Sequence, residues 1–338
     1  MMPIRVILII LSYALAALTV LYVGWLRLGR RPPWWLRALA PFALWVLAPV
    51  LILPLLGLWL REALFWGASL LAWGLYVAHF VWPLRPRRRR EAPPDAPRLR
   101  VMTANLDKHN NRWQEMAATI AWEKPDIVAL QELKPGQAKA IAEALAEQYP
   151  HRLLYPGIDA EGMGLLSRHP IVASELHQGP LGATPILEAY VRVDGRKVRV
   201  INAHPRIPIL RTVRLVGLPL PAGLDTRERE ADVKEITQLV DGHPEDSILL
   251  GDMNTTEQCP EYRWLAAQWR DAYREAAWGP GATFPVKAPF FGWRPPLPLF
   301  RIDYIFTRGD WLPLEARTGY MPGSDHRYLV VDLVWPCK

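Results

Sequence analysis

Ser247 to Asn254 reads SILLGDMN, a short apolar run that stops on a cluster of polar residues. Ser247 to Leu250 has the length of a buried strand rather than a helix. Gly251, Asp252 and Asn254 are turn formers, so taken alone the stretch is a strand entering an ordinary turn. Working outward, the same pattern recurs. Asn105 follows VMTA, Gln131 and Glu132 follow IVAL, His204 follows VINA, Asp303 sits inside RIDYIF, and Asp325 with His326 precedes YLVVDLV. A packed core would not select carboxylates, amides and imidazoles at so many strand ends. A layered sheet can instead gather them along one edge.

The spacing predicts strands over 99–104, 127–130, 164–167, 187–193, 198–203, 247–250, 302–307 and 328–334. Helices are expected over 111–123, 135–148, 226–240 and 260–269. Hairpin-like strand pairs interrupted by helices imply an α+β fold, with sheets packed face to face and helices outside. Two irregular stretches, 205–225 and 279–300, exceed ordinary loop length and adjoin the polar strand ends.

The first hundred residues are of another kind. They carry 13 Arg, no Lys and 3 acids, a net charge of +10. The remaining residues carry 27 bases and 30 acids, a net of −3, so the surplus of base is N-terminal. An acidic C-terminal part argues against nucleic acid as partner, without excluding a local basic stripe. Residues 6–26, 38–60 and 63–84 are long apolar runs, each able to reach about 30 Å as a helix. Three runs in succession, flanked by Arg and Trp, predict three transmembrane helices rather than a cleaved signal. The chain is therefore expected to comprise a transmembrane domain over 1–84, an Arg/Pro-rich linker over 85–98 and a catalytic domain over 99–338. With three crossings, Arg27, Arg30, Arg31 and Arg37 share a side with Arg85 and Arg87 to Arg90, facing only Arg5 and Arg61. The positive-inside rule puts that richer side, and the C-terminal domain, in the cytoplasm.

The polar strand ends form a coherent donor set. Hard divalent cations take carboxylate oxygens, which suits Glu132 and Asp325 to Mg²⁺, with Mn²⁺ an alternative. Asn105, Asn254 and His204 can donate hydrogen bonds to phosphate oxygens. Asp252 can orient or deprotonate water, and His326, with Asp303 as its partner, can support the leaving group. The reaction class is metal-assisted hydrolysis of a phosphate ester or anhydride.

In their order, VMTANL, PDIVALQE, GMGLLSRHPI, VINAHP, ILLGDMN, RIDYIF and SDHRYLVVDL resemble the motifs of the endonuclease/exonuclease/phosphatase superfamily. The apolar N-terminus is similar to its membrane-bound branch, which includes bacterial teicoplanin-resistance proteins. The resemblance implies a four-layered α/β sandwich, two mixed β-sheets flanked by helices, and Mg²⁺-dependent phosphoester cleavage. By position it implies Glu132 and Asp325 on the metal with Asn105 close by, Asn254 and His204 on phosphate, Asp252 on the water and Asp303 paired with His326. It also implies an extracytoplasmic catalytic domain, opposite to the side that the Arg distribution favours. Pro205 and Arg327-Tyr328 depart from the family's usual continuations. Tyr155 and Arg168 are candidates for the substrate contacts that many members carry.

Arg206, Arg211 and Arg214 alternate with apolar residues between Pro205 and Leu224, a pattern suited to a lipid surface and to lipid phosphate. Phe290, Phe291, Trp293 and Phe300 form a second apolar group. The expected partners are thus membrane lipids and a lipid-linked phosphate, such as a polyprenyl diphosphate or a phospholipid head group. A metal-dependent nuclease and a non-catalytic membrane scaffold are the competing readings. Cys259 and Cys337 are expected to lie too far apart for a disulfide.

Overall fold

The structure is a computed structural model that describes residues 2–27, 33–61, 63–86, 96–178, 184–215, 218–239, 246–287, 292 and 294–335. The expected linker falls mainly on 87–95, and Phe290, Phe291, Trp293 and Cys337 lie outside the described residues. The chain forms two compact units. One is Met1–Arg85 with Leu210–Leu224, the other Pro86–Ile209 with Asp225–Lys338.

In the first unit, α1 (Met2–Arg27), α2 (Trp34–Leu39), α3 (Ala43–Val46), α4 (Leu53–Leu60) and α5 (Ala63–Tyr76) follow the apolar runs. Two helical stretches, Val6–Leu26 and Phe65–Leu84, are long and apolar enough to cross a membrane. The middle run, expected as one transmembrane helix, is broken. Trp34–Val46 and Ala48–Trp59 are bent by 42° at a break, giving a broken span or a re-entrant loop. Pro41, Pro49 and Pro54 each sit in the first turn of a segment along this run. A proline removes a helical hydrogen bond and clashes with the preceding turn, which is sufficient cause for the bend. Tyr22, Leu47, Val50, Phe65 and Phe80 pack inside the unit. Ile10, Leu11, Leu21, Leu55, Leu58, Trp59 and Leu71 face outward, an apolar surface unsuited to water. Residues 210–224, expected within the C-terminal domain, group with these helices and carry a two-stranded hairpin.

The second unit is the sandwich. Its strands are β1 (Arg98–Asn105), β2 (Ile127–Gln131), β3 (His151–Tyr155), β4 (Met163–Ser167), β5 (Ile171–His177), β6 (Ile186–Val193) and β7 (Arg196–Asn202). After the hairpin strands β8 (Ile209–Leu215) and β9 (Leu218–Asp225) come β10 (Ser247–Asp252), β11 (Arg270–Asp271), β12 (Asp303–Arg308), β13 (Leu312–Tyr320) and β14 (Arg327–Val334). The sheets run β13-β14-β1-β2-β4-β3 and β11-β12-β10-β7-β6-β5. Each has one parallel pair at its centre, β1 with β2 and β7 with β10, and antiparallel neighbours on both sides. The helices are α6 (Trp113–Glu123), α7 (Pro135–Ala144), α8 (Arg227–Gln238), α9 (Pro260–Gln268) and the short α10 (Ala272–Ala276).

Strand alternation builds three layers of core. Leu99 and Val101 of β1 point between the sheets, where they join Val198, Val200, Ile248 and Leu250. Met102 and Ala104 point outward to Met116, Ile120 and Ile141 of α6 and α7. Ile201 and Leu249 face outward on the other sheet, against Val233 and Ile236 of α8 and Leu265 of α9. The inward alternation then turns polar. Thr103 Oγ1 donates to Gln131 Oε1 at 3.2 Å, and Gln131 Nε2 donates across the sandwich to Asn202 Oδ1 at 2.7 Å. Asn202 Nδ2 donates back to the carbonyls of Leu130 and Gly164. This satisfied buried network ties the sheets together directly below the polar strand ends.

Candidate active site

The two parallel pairs fix where the polar groups meet. Asn105 stands in register with Gln131, so Glu132 leaves β2 beside it. Leu250 stands in register with Asn202, which brings His204 past the end of β7 alongside Asp252. Asp252 and Asp303 face each other across β10 and β12. Gly251 has φ +147°, and a Cβ there would lie 1.8 Å from the Ala203 carbonyl oxygen, so a glycine is required for this close approach. Asp107, Glu132 and Asn254 all adopt positive φ. These conformations persist because the surrounding structure imposes them.

Asn105 is the organiser. Its Nδ2 donates to Glu132 Oε1 and to Asp252 Oδ2, both at 3.1 Å, while its Oδ1 accepts from the Asp107 amide at 3.0 Å. Glu132 Oε2 accepts from the Lys108 amide at 3.1 Å. Asp252 Oδ1 accepts from the Asn254 amide at 2.9 Å. Asp252 Oδ2 lies 3.6 Å from His204 Nε2 and 3.7 Å from His326 Nε2, so one buried carboxylate faces two imidazoles. His326 Nδ1 is 2.9 Å from Asp303 Oδ2. His204 Nδ1 is 3.2 Å from the Ala160 carbonyl.

These contacts set the charges. Burial opposes ionisation of Asp252, yet His326 and His204 hold it below the usual carboxylate range. Burial pushes Asp303 up. Burial also opposes a charged His326, but Asp303 and Asp252 outweigh it and raise the imidazole to about 10. His204 is likewise raised, because Asp252 and Glu132 overcome its burial. Asp325 is pushed up to about 6, by burial first and then by the carboxylates of Asp107, Glu132 and Asp252.

Convergent carboxylates that raise one another's affinity for protons also suit a cation. Ligand atoms of Asp252, Asp303 and His326 lie within 4.8 Å of one another, and Asp303 Oδ1 is buried with no hydrogen-bond partner. Glu132 is tied to Asp252 through Asn105, and Asp325 Oδ1 lies 4.0 Å from His326 Nε2, so carboxylate oxygens suited to a hard divalent ion border this cluster. Asn105 Nδ2 fixes Glu132 and Asp252, and its Oδ1 accepts one hydrogen bond, from the Asp107 amide.

All of Asn105, Glu132, His204, Asp252, Asn254, Asp303, Asp325 and His326 thus converge. The arginines expected on substrate do not join them in the same way. Arg206 donates a bidentate pair to Asp232 of α8, at 2.9 and 2.7 Å, so its fork is already occupied. Arg211 belongs to the hairpin of the first unit. Arg168 follows Ser167, which pairs with Ile127 at the opposite end of the sheet, and it lies 3.8 Å from Asp126. Tyr155 is in register with Met163 at the site end, the right place for a substrate contact.

Several supporting residues gave no signal in the sequence. Ser324 Oγ donates to the Asn105 carbonyl at 2.8 Å and accepts from the His326 amide at 3.0 Å, joining the first and last motifs. Phe284 packs on the His326 ring. Arg229 pairs with Glu261 and donates to the Asn254 carbonyl at 2.6 Å, fixing that loop from behind. The SDH segment holds Ser324 in plain view, but only its partners reveal its role.

The mixed-sheet sandwich thus carries a constellation of carboxylates, amides and imidazoles at the ends of its central strands. The chain belongs to the Endonuclease/Exonuclease/phosphatase family, whose sequence profile matches residues 64–326. Enzymes of this family are generally hydrolases of phosphate esters that use divalent metals. An endonuclease/exonuclease/phosphatase from Beutenbergia cavernae is similar at 25% identity, with 70% of this chain and 72% of that one covered and a TM-score of 0.54. A humanized D. rerio TDP2 shares the fold at 19% identity, with 70% and 98% covered and a TM-score of 0.53. The mannosyl-6-phosphatase Bt3783 of Bacteroides thetaiotaomicron shares it at 17% identity, with 70% and 99% covered and a TM-score of 0.53. No curated protein sequence matches the chain.

Proposed function

We propose that this protein is a membrane-anchored, Mg²⁺-dependent phosphohydrolase acting on a lipid-linked phosphate, either a polyprenyl diphosphate or a phospholipid head group. The observation that carries the chemistry is the Asp252 carboxylate, flanked by the Nε2 atoms of His204 and His326 and tied through Asn105 to Glu132. Asp252 orients the attacking water and takes its proton. His326, fixed by Asp303, gives a proton to the departing oxygen. His204 and the second N–H of the Asn254 amide donate to the non-bridging oxygens, the first N–H being held by the Pro205 carbonyl. Glu132 and Asp325, with Asn105 beside them, would hold the cation, while Asp303 stays with His326. When bound, Mg²⁺ supplies Lewis-acid polarisation of the phosphoryl group.

The outward apolar helices support the anchor, and the grouping of residues 210–224 with them supports a lipid substrate. The apolar N-terminus supports a likeness to the family's membrane-bound branch, which includes bacterial teicoplanin-resistance proteins. The test is release of phosphate or head group by the full-length protein in detergent micelles with Mg²⁺. Polyprenyl diphosphate, phospholipid and plasmid DNA are offered side by side, with Asp252→Asn and His326→Ala as controls. Release from a lipid phosphate, abolished by both substitutions, is expected. Cleavage of DNA with the lipids untouched would replace this reading by a nuclease.

A further inference from the structure

Lys108 and the Pro156–Gly162 loop stand beside the site with no role in the mechanism above. The Lys108 amide donates to Glu132 Oε2 at 3.1 Å, which roots this residue on a proposed metal carboxylate. Its ammonium is drawn the other way, into an ion pair with Asp159 on the loop. The next residue, Ala160, supplies the carbonyl facing His204 Nδ1. The loop is well held: Lys134 Nζ donates to the Ile158 carbonyl, and Glu161 caps the amides of Ile158 and Asp159. Its closing residue, Gly162, abuts the Leu133 carbonyl so tightly that a Cβ would lie 2.0 Å from that oxygen. The Asp159 side chain is nonetheless 70% exposed, and the Lys108 side chain 30%.

An exposed ion pair of this kind is weak and exchangeable, whereas a lysine ammonium meeting a phosphate makes a charge-assisted bond of greater strength. We infer that Lys108 is a substrate-phosphate anchor, parked on Asp159 in the free protein and displaced from it when a phosphate group enters beside Glu132. Asp159 is a built-in competitor that occupies the ammonium until a more highly charged oxyanion replaces it. The loop stays in place during this exchange, because Glu161, Lys134 and Gly162 hold it independently of Lys108, and His204 keeps its orientation.

The inference rests on the phosphohydrolase reading, though not on the lipid. The test therefore uses a soluble aryl phosphate as substrate and inorganic phosphate as inhibitor, with the full-length protein in micelles. Lys108→Ala is expected to raise KM and the phosphate inhibition constant about tenfold with kcat little changed. Asp159→Asn is expected to lower both by about two- to fivefold, the opposite direction, because it removes the competitor. If instead both substitutions reduce kcat alike and leave phosphate inhibition unchanged, the pair is only a latch for the loop over His204 and the inference is wrong. A wild-type protein that hydrolyses no phosphate ester but binds phosphate in the Lys108-dependent way would overturn the hydrolase reading alone. Unaltered phosphate binding in both variants would overturn the anchor alone.

Discussion

His326 Nδ1 lies 2.9 Å from Asp303 Oδ2, and this one contact decides which nitrogen the imidazole turns toward Asp252. Asp303 is fully buried, and the Ile302 and Asp303 amides reach Thr283 Oγ1. Asp303 therefore has little freedom to release the ring.

Loss of the proposed acid, His326, should show in turnover. His326→Ala is expected to lower kcat by about 10²- to 10⁴-fold on any phosphate ester the protein accepts. Asp303→Asn should lower kcat less while shifting the acidic and basic limbs of the pH profile, because the imidazole keeps its place but loses the carboxylate that stabilises its charge. Steady-state kinetics across pH checks both.

Cation binding should stabilise the fold. A ligand that binds only the native state raises its stability by about 2.7 kcal/mol at 100 times its Kd. Thermal unfolding of the full chain in micelles should rise with Mg²⁺, and Glu132→Gln should remove most of that rise. An unchanged response in the variant would exclude Glu132 as a ligand.

Gly251→Ala tests the approach of β7 to β10. At φ +147° and with a carbonyl 1.8 Å from the new methyl, the strand ends must separate. Backbone strain alone costs about 1–3 kcal/mol. The expected result is a lower Tm together with loss of activity, since His204 moves away from Asp252.

The pair formed by Glu188 with Arg199 and His177 predicts a pH-dependent stability. Burial opposes the Glu188 charge, but Arg199 and His177 outweigh it and lower the carboxyl from 4.5 to about 2. A depressed folded value means the contribution is present above the unfolded value and is lost as pH falls from about 4.5 to about 2. The Tm difference between wild type and Glu188→Gln should be largest above pH 5 and vanish toward pH 2.

Behind the Asn254 loop, Arg301 pairs with both Glu257 and Asp271, and Arg274 pairs with Glu257. Arg301→Leu leaves the buried Asp271 without its charge partner and the partly buried Glu257 with Arg274 alone, and should cost about 3–5 kcal/mol. Chemical denaturation measures it. Arg270→Leu serves as the control, since that side chain is more than one-third exposed.

What the sequence by itself determined is local. The eight strands read from it are present, each inside its sheet, because a strand buried on both faces is a continuous apolar run that ends at a polar residue. The four sandwich strands it did not reveal, β3, β5, β11 and β13, are the edges of the two sheets. An edge strand packs against a neighbour on one side only, so its sequence is mixed: β13 carries Pro313, Glu315, Arg317 and Gly319, with a bulge between Pro313 and Glu315. Hairpin strand β9 is hidden by Pro219, Pro221 and Gly223 in the same way. The apolar runs were equally legible, but the 42° bend in the second shows only in the structure.

Only the tertiary structure decided the partners. Asn105 meets Asp252 across 147 residues of chain and Arg206 turns to Asp232 rather than outward, whereas the 2.9 Å contact of Asp303 with His326 follows the expected pairing. Residue type announces that a carboxylate, amide or imidazole can hold a cation or a proton. Which atoms come within 3 to 4 Å depends on the register of parallel strands and on which helix lies beneath each loop, and those are settled by burying both sheets at once.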